Sequence, residues 1–113
     1  MSDKIIFDKE TALDLLGGDE DLLQILIDSF LAENKFETAV LKKLVSDGKL
    51  GEAASYVHAT KGAARQLCMG KLKDSGQVLE DVLRGKTTGD IPALIETMVA
   101  NYAEAVAFLK GTL

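Results

Sequence analysis

Apolar residues in this chain recur every three or four positions and rarely alternate, which is the spacing of amphipathic helices and not of strands. Asp8 is placed to cap a short first helix that stops at Gly17-Gly18. Asp19 opens a second helix, with Glu20 and Asp21 in the first turn, where negative charge is favoured. Its apolar positions are Leu22, Leu23, Leu26, Ile27, Phe30 and Leu31. The pattern resumes at Phe36, Val40, Leu41, Leu44 and Val45 and ends near Asp47-Gly48. Between the two stretches, at Asn34, the helix either kinks or stops and restarts; the spacing fits both. A third helix is predicted from about Lys49 to Met69, and a fourth from about Lys71 to Arg84 with Leu72, Gly76, Leu79 and Leu83 on one stripe. Lys86-Thr87-Thr88-Gly89 reads as a loop. Asp90 then caps a last helix beginning Ile91-Pro92, since proline is tolerated in a first turn.

One short helix and four longer ones, joined by short links, force neighbours to run antiparallel. The expected fold is all-α: an up-down antiparallel four-helix bundle with a short extra N-terminal helix. At 113 residues, 47% of them hydrophobic, the chain suits a single domain over 1–113. With no Trp, two Tyr and four Phe, the core must come from Leu, Ile, Val and Ala.

A net charge of −5 makes nucleic acid and anionic membranes poor partners. A single cysteine, Cys68, excludes an internal disulfide and fits a reducing cytoplasm. The start, Met1-Ser2-Asp3-Lys4, has no signal-peptide core, and no apolar run approaches a membrane span, so a cytoplasmic location is expected. One His and one Cys make no credible metal site, and there is no Gly-rich phosphate loop or room for an ATP-binding domain. No cofactor is expected.

The third helix carries the chemistry. At about 100° per residue, Leu50, Ala53, Val57, Thr60, Ala64, Leu67 and Cys68 share one face, which reads as the core side. Ala54, Ser55, His58, Lys61, Gly62 and Arg65 take the opposite, polar face. Lys61 and Gly62, three and four residues after His58, are its surface neighbours. A cation beside an imidazole favours the neutral, nucleophilic ring. Arg65 extends the cationic strip. A glycine inside a helix costs about 1 kcal/mol relative to alanine, so Gly62 points to something that must approach the backbone there. Cys68, on the core face, reads as a buried structural thiol.

His58-Ala59-Thr60-Lys61-Gly62-Ala63-Ala64, followed by Leu67, resembles the signature of the bacterial histidine phosphotransfer (HPt) family, His-x-x-Lys-Gly-x-Ala on an exposed bundle helix. The resemblance runs from about Phe7 to Lys110 and takes in the Gly17-Gly18-Asp19 break and the Leu79-Glu80 pair. It implies that His58 is the phosphoacceptor, Lys61 the neighbouring cation and Gly62 the clearance residue. Glu80 falls where some members hold a carboxylate against the acceptor imidazole, fixing its tautomer, with Gln77 and Arg84 as polar neighbours. The chain departs from the pattern at Thr60, usually apolar, at Arg65, usually small, and at Cys68, where a glycine often closes the motif.

The implied function is a phosphocarrier of a two-component phosphorelay, not a kinase. It would exchange phosphate between His58 and the aspartate of response-regulator receiver domains, downstream of a hybrid histidine kinase. The receiver would supply a magnesium ion. Leu15, Leu22 and Ile25 are the candidate docking residues, and a monomer is expected. Two alternatives stand beside this reading: a receiver-binding adaptor of the same fold without phosphotransfer, and the phosphotransfer domain of a chemotaxis-type or hybrid kinase. The start at Met1 and the end soon after the last helix favour a free-standing protein.

Overall fold

The computed structural model describes residues 6–33 and 36–112. In order, α1 spans Lys9–Leu15, α2 Glu20–Glu33, α3 Thr38–Ser46, α4 Leu50–Gln66, α5 Gly70–Leu83 and α6 Ile91–Thr112. Among the described residues there is no strand, and the all-α expectation holds.

The starts of three helices follow from short acidic side chains. Asp8 accepts from the Thr11 amide at 3.1 Å, Asp19 from the Leu22 amide at 3.0 Å and Asp90 from the Ala93 amide at 3.1 Å. Each satisfies an amide that the helix itself leaves unpaired.

Four helices end in one and the same double hydrogen bond. After α1, Gly18 N–H donates to Leu13 C=O at 2.8 Å and Gly17 N–H to Asp14 C=O at 3.2 Å. The pattern repeats at Gly48-Lys49, at Gly85-Lys86 and at Cys68-Met69. This closure needs a left-handed residue just past the helix. Gly17, Gly48 and Gly85 supply it with φ of 67°, 77° and 77°, and after α4 the same place is taken by Cys68 at φ 57°.

The second predicted helix is two, α2 and α3; Asn34 itself lies outside the described residues. Tertiary contacts hold the restart. Phe36 stacks on Tyr56 with ring centroids 5.7 Å apart and leans on Tyr102 at 5.6 Å, while the Glu37 amide donates to the Tyr56 hydroxyl at 2.7 Å.

Helices α4 and α5 pair antiparallel, and α5 and α6 do the same, Lys71 at the start of α5 meeting Glu104 late in α6 at 2.7 Å. The core joins Leu23, Ile27 and Phe30 of α2, Leu41 of α3, Val57 of α4, Leu79 of α5 and Met98 and Leu109 of α6. Phe7 is buried edge-on to Phe108, and the Asp8 amide donates to the Cys68 carbonyl at 3.0 Å, tying the N-terminal segment to the α4–α5 turn.

Three expectations for α4 need correction. Ala54, assigned to the polar face, is fully buried, because α4 packs against α3 as well as α5 and its buried stripe is correspondingly wide. Leu50, assigned to the core, is exposed at the helix start. Cys68 is only half-buried, because the helix stops at Gln66 and the residue belongs to the turn.

Candidate functional site

On α4, His58 and Lys61 lie one turn apart; Gln77 and Glu80 of α5, with Arg84 at its C-terminal cap, follow one another at the same helical spacing. Because the two helices are antiparallel, His58 comes level with Glu80 and Lys61 with Gln77. The His58 Nδ1 atom stands 3.1 and 3.0 Å from the two Glu80 carboxylate oxygens. Lys61 Nζ donates to Glu80 Oε1 at 2.9 Å and to Gln77 Oε1 at 3.0 Å. Arg84 Nε donates to Glu80 Oε2 at 2.8 Å, and Gln77 Nε2 to Asp81 Oδ1 at 2.9 Å.

Burial sorts these groups into an inner carboxylate and an outer ring. The Glu80 side chain is 7% exposed and that of Lys61 12%, against 57% for His58. Burial alone would push the Glu80 carboxyl up. Hydrogen bonds from Lys61, Arg84 and His58, with the charge of Lys61, outweigh it and lower the pKa from 4.5 to about 2. An ionised carboxylate only accepts hydrogen bonds, so the imidazole proton sits on Nδ1 and Nε2 keeps its lone pair. That nitrogen belongs to a largely exposed ring.

Lys61 is therefore not the solvated cation that its helical position suggested. Its stem lies against α5, and its ammonium reaches the carboxylate that also holds the ring. Gly62 is open: a Cβ there would meet nothing within 4 Å. Arg65 makes none of these contacts. It is exposed and lines a separate cleft with Asp8, Cys68, Met69, Gly70 and Lys73, so the cationic strip expected from it is not part of the cluster. Leu15, Leu22 and Ile25 are 71%, 38% and 61% exposed, an unusual outlay of large apolar side chains on α1 and α2.

The sequence reading passed over one residue here, Gly76, counting it only as a member of an apolar stripe. A Cβ at Gly76 would lie 3.1 Å from Lys61 Cβ. A glycine in the interior of a helix directly opposite the motif lysine is the signal that marked it.

Among the described residues no group of three His, Cys, Asp or Glu side chains is placed to hold a metal ion. No helix among them is long and apolar enough to cross a membrane.

The described helices thus present the imidazole of His58, held by a carboxylate from the next helix. The family model described as Hpt domain matches residues 25–108, and the chain belongs to that family. Membership brings histidine phosphotransfer in two-component signalling, with receiver domains and histidine kinases as the interacting classes, and Hpt domains are phosphocarrier modules, not kinases. The match begins at Ile25, so α1, Leu15 and Leu22 lie outside it, a narrower span than the resemblance of Phe7 to Lys110. No curated protein and no solved structure matches the chain.

Proposed function

We propose that this chain carries a phosphoryl group on Nε2 of His58 and exchanges it with the active-site aspartate of receiver domains. The observation that carries the reading is the Glu80–Nδ1 contact, because it leaves Nε2 as the nucleophile on an exposed ring. In uptake, the Nε2 lone pair attacks phosphorus, a P–N bond forms, and the P–O bond to the receiver's aspartate breaks, returning its carboxylate. No proton need move, since Nδ1 keeps its own. Positive charge develops on the ring as the bond forms, and the Glu80 anion is already in place to offset it. The reverse transfer runs through the same geometry.

Gly62 gives the receiver's active-site wall room beside the ring, and Lys61 and Arg84 keep Glu80 ionised, with Gln77 as a second acceptor for the Lys61 ammonium. Leu15, Leu22 and Ile25 form the apolar docking surface. The chain needs no cofactor of its own; a magnesium ion bound by the receiver supplies charge stabilisation there. Partners are cytoplasmic: a receiver domain and an upstream hybrid histidine kinase.

Incubation with a phosphorylated receiver should place acid-labile, base-stable phosphate on the chain. His58→Gln should abolish it with the helical circular dichroism intact. Equal labelling of the variant would remove His58 from the reading, and no labelling of the wild type by any of the host's receivers would leave a docking adaptor.

A further inference from the structure

Gly76 is buried in the interior of α5, a position where glycine costs about 1 kcal/mol relative to alanine. A Cβ there would stand 3.1 Å from Lys61 Cβ, 3.5 Å from Lys61 Cγ and 3.3 Å from Met98 Cε. Carbon atoms at rest lie about 3.5–4.0 Å apart. The first two carbons of the Lys61 stem therefore lie on the bare backbone of α5. The two neighbours differ in their freedom to give way. Met98 Cε ends a flexible thioether chain and can swing aside. Lys61 Cβ is fixed to the α4 backbone and yields only if the stem is redirected or α4 backs away. One turn further along α5 is Glu80, where the Lys61 ammonium ends.

On the phosphotransfer reading above, we infer that Gly76 is a positioning residue of the His58 site. Its missing side chain lets the Lys61 stem lie flat across α5, which delivers the ammonium to Glu80 and Gln77 and so steadies the carboxylate that holds the imidazole. Gly76 touches neither the ring nor the phosphoryl group; it acts through Lys61. Close helix packing alone would account for a small residue here, but it predicts an effect on stability and none on the carboxylate. The polar groups facing Glu80 are His58 and Lys61 from α4 and Arg84 from the C-terminal cap of α5, and Lys61 is the one whose stem Gly76 supports.

The test is Gly76→Ala, in which alanine's helix propensity offsets the crowding, so that the variant folds. Two quantities are read on wild type and variant: the Glu80 titration midpoint, from its side-chain carboxyl carbon signal, and the rate of phosphate uptake from phosphoramidate, a small donor that requires no docking. The midpoint should rise by about half a unit or more, and uptake should fall about threefold or more. In a Lys61→Ala background, Gly76→Ala should change neither further. An unchanged midpoint in the single variant, or effects that add fully in the double variant, would overturn the inference. Should the wild type take no phosphate from phosphoramidate or from a receiver, the phosphotransfer reading falls, and the midpoint alone still decides whether Gly76 seats Lys61.

Discussion

Gly62 of α4 and Gly76 of α5 both adjoin Lys61, yet they are glycines for opposite reasons. Around Gly62 there is open space, and a side chain would meet nothing within 4 Å. At Gly76 a side chain would press on the stem of Lys61 and on Met98. The first shapes what can approach the protein, the second what the protein can assemble inside. A glycine in a helix has the same local cost in both places, so the difference lies wholly in what the fold puts beside it.

The sharpest way to break this contrast is Gly76→Leu. With Lys61 Cβ in its way, the side chain should overpack the α4–α5 interface and lower stability by about 3 kcal/mol in urea unfolding. A loss under 1 kcal/mol would mean the interface is looser than the distances indicate.

Next in size is Glu80→Gln, which leaves the half-buried cations without their anion and should cost about 2 kcal/mol near neutral pH. The pH dependence carries the sign. The folded-state pKa of about 2 lies below the ordinary 4.5, so the ionised carboxylate stabilises the fold fully above 4.5, and that contribution is lost as pH falls from about 4.5 through about 2. Stability profiles of wild type and variant should therefore converge across that window. Parallel profiles would show that Glu80 is not held ionised by the fold.

Gly62→Ala tests the open side. It should raise stability by about 1 kcal/mol, as at any unhindered helix interior. Gly62→Leu should also fold well and yet slow transfer to a receiver while leaving uptake from phosphoramidate unchanged. Equal receiver transfer would end the clearance argument.

The smallest effect is expected at Cys68, the helix end without a glycine. Its left-handed φ of 57° disfavours a side chain, so Cys68→Gly should gain about 0.5 kcal/mol once the greater freedom of glycine in the unfolded chain is set against the relieved strain. A loss instead would show that the packing of the half-buried thiol outweighs the strain.

The helical architecture was legible because it is written in local terms. Asp8, Asp19 and Asp90 cap through atoms three residues away, Gly17, Gly48 and Gly85 close helices through their own φ, and apolar periodicity marks the buried stripes. The His58–Lys61–Gly62 spacing places three groups on adjoining positions of one helix whatever surrounds it. Where the reading went astray, a neighbour outside the helix decided. Ala54 is buried because α4 packs against both α3 and α5, and Cys68 left the core face because α4 turns after Gln66. The choice that the spacing left open between α2 and α3 falls to a restart, where Phe36 finds Tyr56 and Tyr102.

By itself, then, the order of residues determined which stretches are helical, where most of them start, and which helix bears the imidazole, since hydrogen bonds within a few residues and the 3.6-residue repeat settle these. Only the tertiary structure decided that Lys61 turns inward to Glu80 and Gln77 while Arg65 stays outside the cluster, and that Gly76 makes room for the arrangement. Those outcomes depend on the register of α5 against α4, which brings Lys61 and His58 onto Glu80, and their hydrogen bonds, with that of Arg84, hold its carboxyl at about 2 against the upward push of burial.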